Sequence, residues 1–399
     1  MINSLRFNEV SLIDCCEIIS GSTPSRKTDE YWNGSINWFT PKDLSKLKSK
    51  YIENSSEKIT KEGFASCSVR LLPAKSLLLS SRAPIGHIAI NSKESCTNQG
   101  FKSLIPKSNL NIDYLYYAIM KIVPKLKDMG NGATFKEISK TTLGKVSIPF
   151  PSLENQKKIA EILDAADSLR QKDKQLVEHY DRLSQSLFLD MFGNVFNNVK
   201  KFEECLFSEI VEKVQIGPFG SQLHKHDYIE NGIPLINPIH IVDSKIVPNS
   251  LFTLRDEKYD SLPNYHLKLG DLIMGRRGEM GRCALITEKE NGFFCGTGSL
   301  YLRLNKNVNP TFLLKVITSD GGKEYLERNA QGVTMMNLNK KIILNIKIGL
   351  PPIELQNKFE TSISEIRKQK SLAQQALLKS EYLFNSLLQQ AFKGELTNR

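Results

Sequence analysis

Residues 148–158 read Ile-Pro-Phe-Pro-Ser-Leu-Glu-Asn-Gln-Lys-Lys, and residues 348–358 read Ile-Gly-Leu-Pro-Pro-Ile-Glu-Leu-Gln-Asn-Lys. Ile148, Pro151, Glu154, Gln156 and Lys158 thus return as Ile348, Pro351, Glu354, Gln356 and Lys358, an offset of 200 positions. The same offset pairs Gly132, Thr134 and Lys140 with Gly332, Thr334 and Lys340. Downstream it pairs Gln175, Leu183, Ser186, Leu187 and Phe192 with Gln375, Leu383, Ser386, Leu387 and Phe392. Farther upstream small gaps enter: Leu77 to Arg82 and Gly86 correspond to Leu272 to Arg277 and Gly281, and Cys96 corresponds to Cys295. A period this long is the duplication of a whole domain. Two copies with similar ends and divergent middles suit a duplicated reader better than a single active site.

After Pro151 the apolar positions Ile159, Ile162, Ala166, Leu169, Leu176, Tyr180, Leu183 and Leu187 follow a three-four alternation, broken by Asp173. After Pro351-Pro352 the stripe is Phe359, Ile363, Ile366, Ala373, Leu377, Phe384, Leu387 and Ala391, broken by Lys370 and Ser380. Such a seam asks for a partner helix, and a rod of about 40 residues spans roughly 60 Å at 1.5 Å rise per residue. That outruns a domain of about 150 residues, so the stripe predicts two long helices paired antiparallel rather than one helix lying on its own domain.

Within each half, short runs such as Ser76–Ser80, His87–Ile90, Phe101–Pro106 and Val146–Phe150 lie between Gly, Pro and Asn turns and predict strands. Asn309-Pro310 opens a helix by N-cap and N1 chemistry, with Asp113–Met120 its counterpart in the first half. The expected fold class is α+β: two similar α/β domains in an internal repeat, separated by two long antiparallel coiled-coil helices. The expected boundaries are 1–150 and 194–350 for the domains, with 151–193 and 351–399 for the helices.

The chain has 399 residues, 40% hydrophobic and 24% charged, which is globular composition at a length that favours more than one domain. Seven cysteines contain no Cys-x-x-Cys pair, so free thiols in a reducing compartment are expected, without zinc ribbons or disulfides. No apolar run approaches the roughly 18 residues of a membrane span. Arg6, Glu9 and Asp14 interrupt the N-terminus, so no export signal is read and a cytoplasmic protein is expected. The net charge of +11 points to an acidic partner, nucleic acid or a lipid surface. It is distributed as +8 over 1–150, −2 over 151–193, +3 over 194–350 and +2 over 351–399.

Three ordered segments carry a resemblance. Ile36-Asn37-Trp38-Phe39-Thr40-Pro41-Lys42-Asp43-Leu44, Thr97-Asn98-Gln99-Gly100-Phe101 and Ile148 to Gln156 are echoed by Ile233-Pro234-Leu235-Ile236-Asn237-Pro238, Gly296-Thr297-Gly298-Ser299 and Leu350 to Gln356. In this the whole chain resembles the specificity subunit of type I restriction-modification enzymes, departing most at Leu235 to His240. The resemblance implies two target-recognition domains, each reading half of a bipartite site on double-stranded DNA. It also implies paired helices holding them apart and two modification subunits docked on, with restriction subunits as a further option. The chain itself would be non-catalytic and cofactor-free, and adenine-N6 methyl transfer from S-adenosylmethionine would belong to the partner.

The candidate DNA contacts fall in equivalent loops. Arg82 and His87 in one half, and Arg276, Arg277 and Arg282 in the other, lie in or beside a strand-to-turn segment. There glycines admit a ligand closely, and an Arg fork takes guanine O6 and N7 or clamps a phosphate. A structural ion pair is the competing role. The early loops supply Ser22, Thr23, Arg26 and Lys27, and Ser221, Gln222, His224 and Lys225, which are hydroxyl or amide donors ending in basic residues. The His224-Lys225-His226-Asp227 run has no further ligand to complete a metal set. Phe294-Cys295-Gly296-Thr297-Gly298 and Asn237-Pro238-Ile239-His240 resemble methyltransferase loops. However, Gly298 leads into an alternating, strand-like run rather than a helix, and Asn237-Pro238 lacks the second Pro and the aromatic that would hold a flipped base. A self-contained DNA adenine methyltransferase, and a coiled-coil tether binding protein or RNA, are the alternatives.

Overall fold

In the computed structural model, residues 7–82, 84–130, 136–330 and 337–396 are described. The repeat pairs Gly132/Gly332 and Thr134/Thr334 lie outside them, as do the side chains of Ser221 and Lys225. Two compact units divide the chain: Met1–Gln175 with Gln374–Arg399, and Leu176–Ala373.

In the first unit Glu9–Ser11 pairs antiparallel with Ser147–Pro149, followed by a single turn, Leu12–Cys15. A five-stranded sheet runs Cys16–Ser20, Lys102–Pro106, Leu77–Leu79, Ile88–Asn91, Tyr51–Ile52. Leu77, Leu78 and Leu79 are all fully buried because both faces of this sheet are covered. Leu77 and Leu79 face the helix Ile112–Met129, while Leu78 faces a second cluster with Phe39, Leu44 and Phe101. That cluster lies toward a three-stranded sheet, Glu57–Ile59, Trp32–Phe39, Cys96–Thr97, whose last pair is parallel.

The second unit repeats this plan. Glu203–Leu206 pairs with Lys347–Leu350, and a four-stranded sheet runs Val211–Ile216, Ser299–Leu304, Leu272–Gly275, Cys283–Leu285. Leu272 and Met274 face one core and Ile273 the other. The companion sheet ends in the parallel pair Ile233–Ile236 with Phe294–Cys295. In the first unit Phe39 pairs with Thr97 and its carbonyl accepts from Asn98 N–H; in the second Ile236 pairs with Cys295 and its carbonyl accepts from Gly296 N–H. Cys295 therefore stands where Thr97 does, and the predicted match of Cys96 with Cys295 is out by one residue, because across the divergent middle it aligns on the cysteines.

The repeated glutamine is a lock. Gln156 and Gln356 are fully buried; each side-chain carbonyl accepts a 2.8 Å bond from a helix N-cap amide, Asn111 N–H in one unit and Asn309 N–H in the other. Each amide nitrogen donates to the preceding proline carbonyl, Pro151 at 2.9 Å and Pro351 at 2.8 Å. The two N-caps then diverge. Asn111 starts one 18-residue helix that passes through Pro124. Asn309 starts Pro310–Thr318, which stops where Ser319 caps a new helix, Asp320–Asn329.

The long helices are Leu153–Phe192 and Ile353–Lys393. In the first unit Phe384 and Phe392 of the second helix meet Tyr117 and Tyr114, and Arg170 of the first helix covers the Phe384 ring at 4.5 Å. In the second unit Phe188 and Phe192 of the first helix pack on Phe312 and on Phe359 of the second. In each unit the late part of one helix meets the early part of the other, which is antiparallel pairing. The predicted stripe on the first helix needs correction. Ile159 and Ala166 are buried as predicted, but Ile162, Leu169, Leu176 and Leu183 are each more than a third exposed, and Ala160, Leu163 and Phe188 are buried in their place. The buried face is rotated by about one residue because the core selects Ile159, Ala160 and Leu163, positions the apolar alternation could not separate from Ile162.

Candidate nucleic-acid interface

In the first reader the loop after Cys16–Ser20 is fixed at both ends. Gly21 N–H donates to Phe101 O and Ser22 N–H to Thr97 O at 3.0 Å. A Cβ on Gly21 would lie 1.9 Å from the Asn98 carbonyl, so only glycine allows this approach. The Trp38 indole N–H donates to the Ser22 carbonyl and that of Trp32 to the Ser25 carbonyl. Arg26 stacks over Trp32 at 3.8 Å, lies 5.0 Å from the Trp38 ring, and pairs with both carboxylate oxygens of Glu57. This pairing raises the Arg26 pKa and holds the Glu57 carboxyl below the ordinary range. Arg26 thus braces the loop on the three-stranded sheet, while Lys27 is exposed and Thr23 donates to the exposed Gln99 side chain.

Arg82 lies at the end of the Leu77–Leu79 hairpin. Ser80 N–H donates to His87 O, Gly86 takes φ +99°, and Arg82 forms an isolated bridge to Glu137. A cleft of about 600 Å³ opens beside it, lined by Thr40, Pro41, Lys42, Ser45, Arg82, Pro84, Asn98, Gln99 and Gly100. Lys42, Asn98 and Gln99 of this lining belong to the segments quoted for the resemblance but stand outside the candidates named from sequence. The signal that could have found them was their place in those segments.

In the second reader Gly217 N–H donates to Ser299 O, and a Cβ there would lie 1.9 Å from the Gly296 carbonyl, matching Gly21. Gln222 accepts from the Tyr265 hydroxyl at 2.9 Å. His224 and His226 stack at 5.4 Å, and Asp227 accepts from the His224 backbone N–H and pairs with Lys258. Those bonds, the His224 N–H first, hold the Asp227 carboxyl below its usual range. Gly275 N–H donates to Arg282 O, Gly281 takes φ +80°, and Arg277 bridges Asn337. The predicted correspondence of Arg82 with Arg277 is therefore a structural equivalence, and it pairs His87 with Arg282. Arg276 is tied back by a 3.0 Å bond from Nε to the Asn337 side-chain oxygen, whereas Arg277 is exposed. Arg282 pairs with Glu279 and reaches the Pro238 carbonyl at 3.4 Å. Gly298 leads straight into the strand Ser299–Leu304, as the reading against a cofactor loop requires.

These features define a duplicated two-reader protein with basic loops at matching places. The sequence model of the family described as "Type I restriction modification DNA specificity domain" matches residues 5–179 and 227–380. The type I restriction enzyme MjaIX specificity subunit of Methanocaldococcus jannaschii is 30% identical across 96% of this chain and 92% of that protein. The EcoR124I/EcoR124II specificity subunit of Escherichia coli is 32% identical over 37% of this chain and 38% of its own length. The crystal structure of the type I restriction-modification S subunit from M. genitalium shares the fold, with a TM-score of 0.58 at 16% identity, covering 98% of this chain and 97% of the other. The chain belongs to the type I restriction-modification specificity subunit family. Among the described residues no helix is long and apolar enough to cross a membrane.

Proposed function

We propose that the chain is the DNA-reading, non-catalytic subunit of a type I modification complex. Each reader takes one half of a bipartite duplex site, and the long helices act as the spacer. In this reading 1–150 and 194–350 are the readers, and 151–193 and 351–399 the spacer segments. Two modification subunits, and optionally restriction subunits, dock on. S-adenosylmethionine and adenine-N6 transfer belong to the modification subunits, in the cytoplasm. The observation that supports this best is the repeated frame, in which Arg82 and Arg277, and Gly21 and Gly217, hold the same backbone positions. Arg82, His87, Arg276, Arg277 and Arg282 would line the duplex with Ser22, Thr23, Lys27, Ser221, Gln222, His224 and Lys225, while Arg26 acts by bracing its loop. Hydroxyl-radical footprinting of the complex on its methylated site is expected to show two protected patches with an exposed gap. One continuous patch, or no protection, would overturn the reading.

A further inference from the structure

The two readers share a frame around one short helical turn but place different chemistry on it. In the first reader the strand Trp32–Phe39 leads into Pro41–Ser45, capped by Thr40, whose N–H donates to Asp43 at 2.7 Å. In the second, Ile233–Ile236 leads into Pro238–His240, where Asn237 N–H donates to His240 Nδ1 at 3.2 Å. Pro41 lies against Gly100, its Cγ 3.3 Å from the Cβ position there, and Pro238 lies against Gly298, its Cδ 2.9 Å from the equivalent point. Those two glycines are equivalent in turn, since Gly100 O accepts from Ser81 N–H and Gly298 O from Arg276 N–H. Lys42 and Ile239 therefore stand at one position in two copies of one frame. Asn98 N–H donates to Phe39 O and Gly296 N–H to Ile236 O, so between these residues and the paired glycines stands one residue in each reader, Gln99 in the first and Thr297 in the second.

Lys42 is exposed on the cleft that Arg82, Asn98 and Gln99 line. Ile239 is 71% exposed beside the Arg282-bound Pro238 carbonyl. A single exposed isoleucine is ordinary on a protein surface; its place opposite a lysine in the other reader is what gives this one meaning. The geometry points to residues 42 and 239 as specificity-determining positions: Lys42 with Gln99 reads polar purine edges of the first half-site, and Ile239 packs on a thymine methyl of the second. Lysine donates to guanine O6 and N7, glutamine pairs with adenine N6 and N7, and an apolar side chain senses the thymine C5 methyl in the major groove. Thr297 takes the place of Gln99 in the second reader, so the long amide is missing beside position 239.

This inference rests on the DNA-reading function above. The test is to assemble Ile239→Lys, Ile239→Val and Lys42→Ile chains with the modification subunit and sequence the methylated adenines. Ile239→Lys is expected to shift one base of the second half-site from thymine toward guanine, with about a tenfold or larger change in preference, while the first half-site is unchanged. Ile239→Val keeps the original base, and Lys42→Ile changes only the first half-site. Methylation that falls equally on all sites with the motif unchanged assigns these residues to phosphate or packing and overturns the inference. So does a motif identical in all chains. If the unsubstituted complex shows no two-part motif, the functional reading fails first, which separates the two failures.

Discussion

The two readers are built on the same backbone frame and differ in what fills it. In the second unit the long-helix contact is a cluster of four phenylalanines, Phe188, Phe192, Phe312 and Phe359. In the first unit the matching places hold Tyr114 and Phe392, with Phe384 packed on Tyr117 and under Arg170. The shared parts are backbone locks: Gln156 and Gln356, and Gly21 and Gly217. The parts that differ are the rings packed under the long helices and the side chains on the surface that would meet DNA. Duplication has kept what sets the geometry and let go of what sets the chemistry there.

The largest expected effect separates the two packing solutions. Phe192 is fully buried among three other rings, so Phe192→Ala should destabilise the second unit by about 3–5 kcal/mol. Phe392, at 7% exposure, touches one of the named rings, and Phe392→Ala should cost the first unit less. Denaturant unfolding followed by hydrogen exchange in each unit checks this. Equal losses would show that the phenylalanine cluster adds nothing beyond ordinary burial.

The glutamine lock should behave the opposite way. Gln156→Ala and Gln356→Ala each leave a buried N-cap amide and a proline carbonyl without partners, at about 1–3 kcal/mol for each lost lock. Gln156 Nε2 also donates to the Asn109 carbonyl at 3.1 Å, so Gln156→Ala is expected to cost at least as much as Gln356→Ala. A clearly smaller loss for Gln156→Ala would contradict that order.

The smallest effect is a difference in pH response. His240 is buried, and desolvation lowers its pKa against a smaller raising effect from the Leu235 carbonyl. The unfolded chain then binds a proton that the folded one does not, and the second unit loses stability as pH falls below about 6.5. At the equivalent position Asp43 is pushed up by burial, but bonds from Ser56 and Thr40 outweigh that and hold it below its usual value. Its contribution is present at neutral pH and is lost only as pH falls below about 4. Thermal unfolding between pH 7 and 5.5 should therefore soften the second unit first, and His240→Gln should remove that slope. An unchanged slope would assign the loss to other groups.

Much of this frame was legible in the sequence. The repeat fixed the pairing of Arg82 with Arg277 and the Asn309-Pro310 signal placed a helix start at its cap, whereas the match of Cys96 with Cys295 is one residue out, since the ladder sets Cys295 at the place of Thr97. The strand Trp32–Phe39 was not read, because Asn33-Gly34-Ser35 looks like a turn; Asn33 indeed takes φ +62°, and the register shifts between Trp32 and Ile36. The role of Arg26 was hidden for a different reason. Its partners Glu57, Trp32 and Trp38 are brought to it by sheet pairing across as many as 31 positions, which no local pattern encodes. The rotated face of the first long helix was hidden because Ile162 and Leu163 are both apolar, and only the tertiary core decides between them.

The central claim is that two unlike readers on one chain specify two unlike half-sites. It is tested most directly by single-molecule sequencing of N6-methyladenine in DNA from a host expressing this chain with its modification partner. The account predicts one motif with two different specified halves at a fixed unspecified gap. A single contiguous motif, or methylation without any motif, would contradict it.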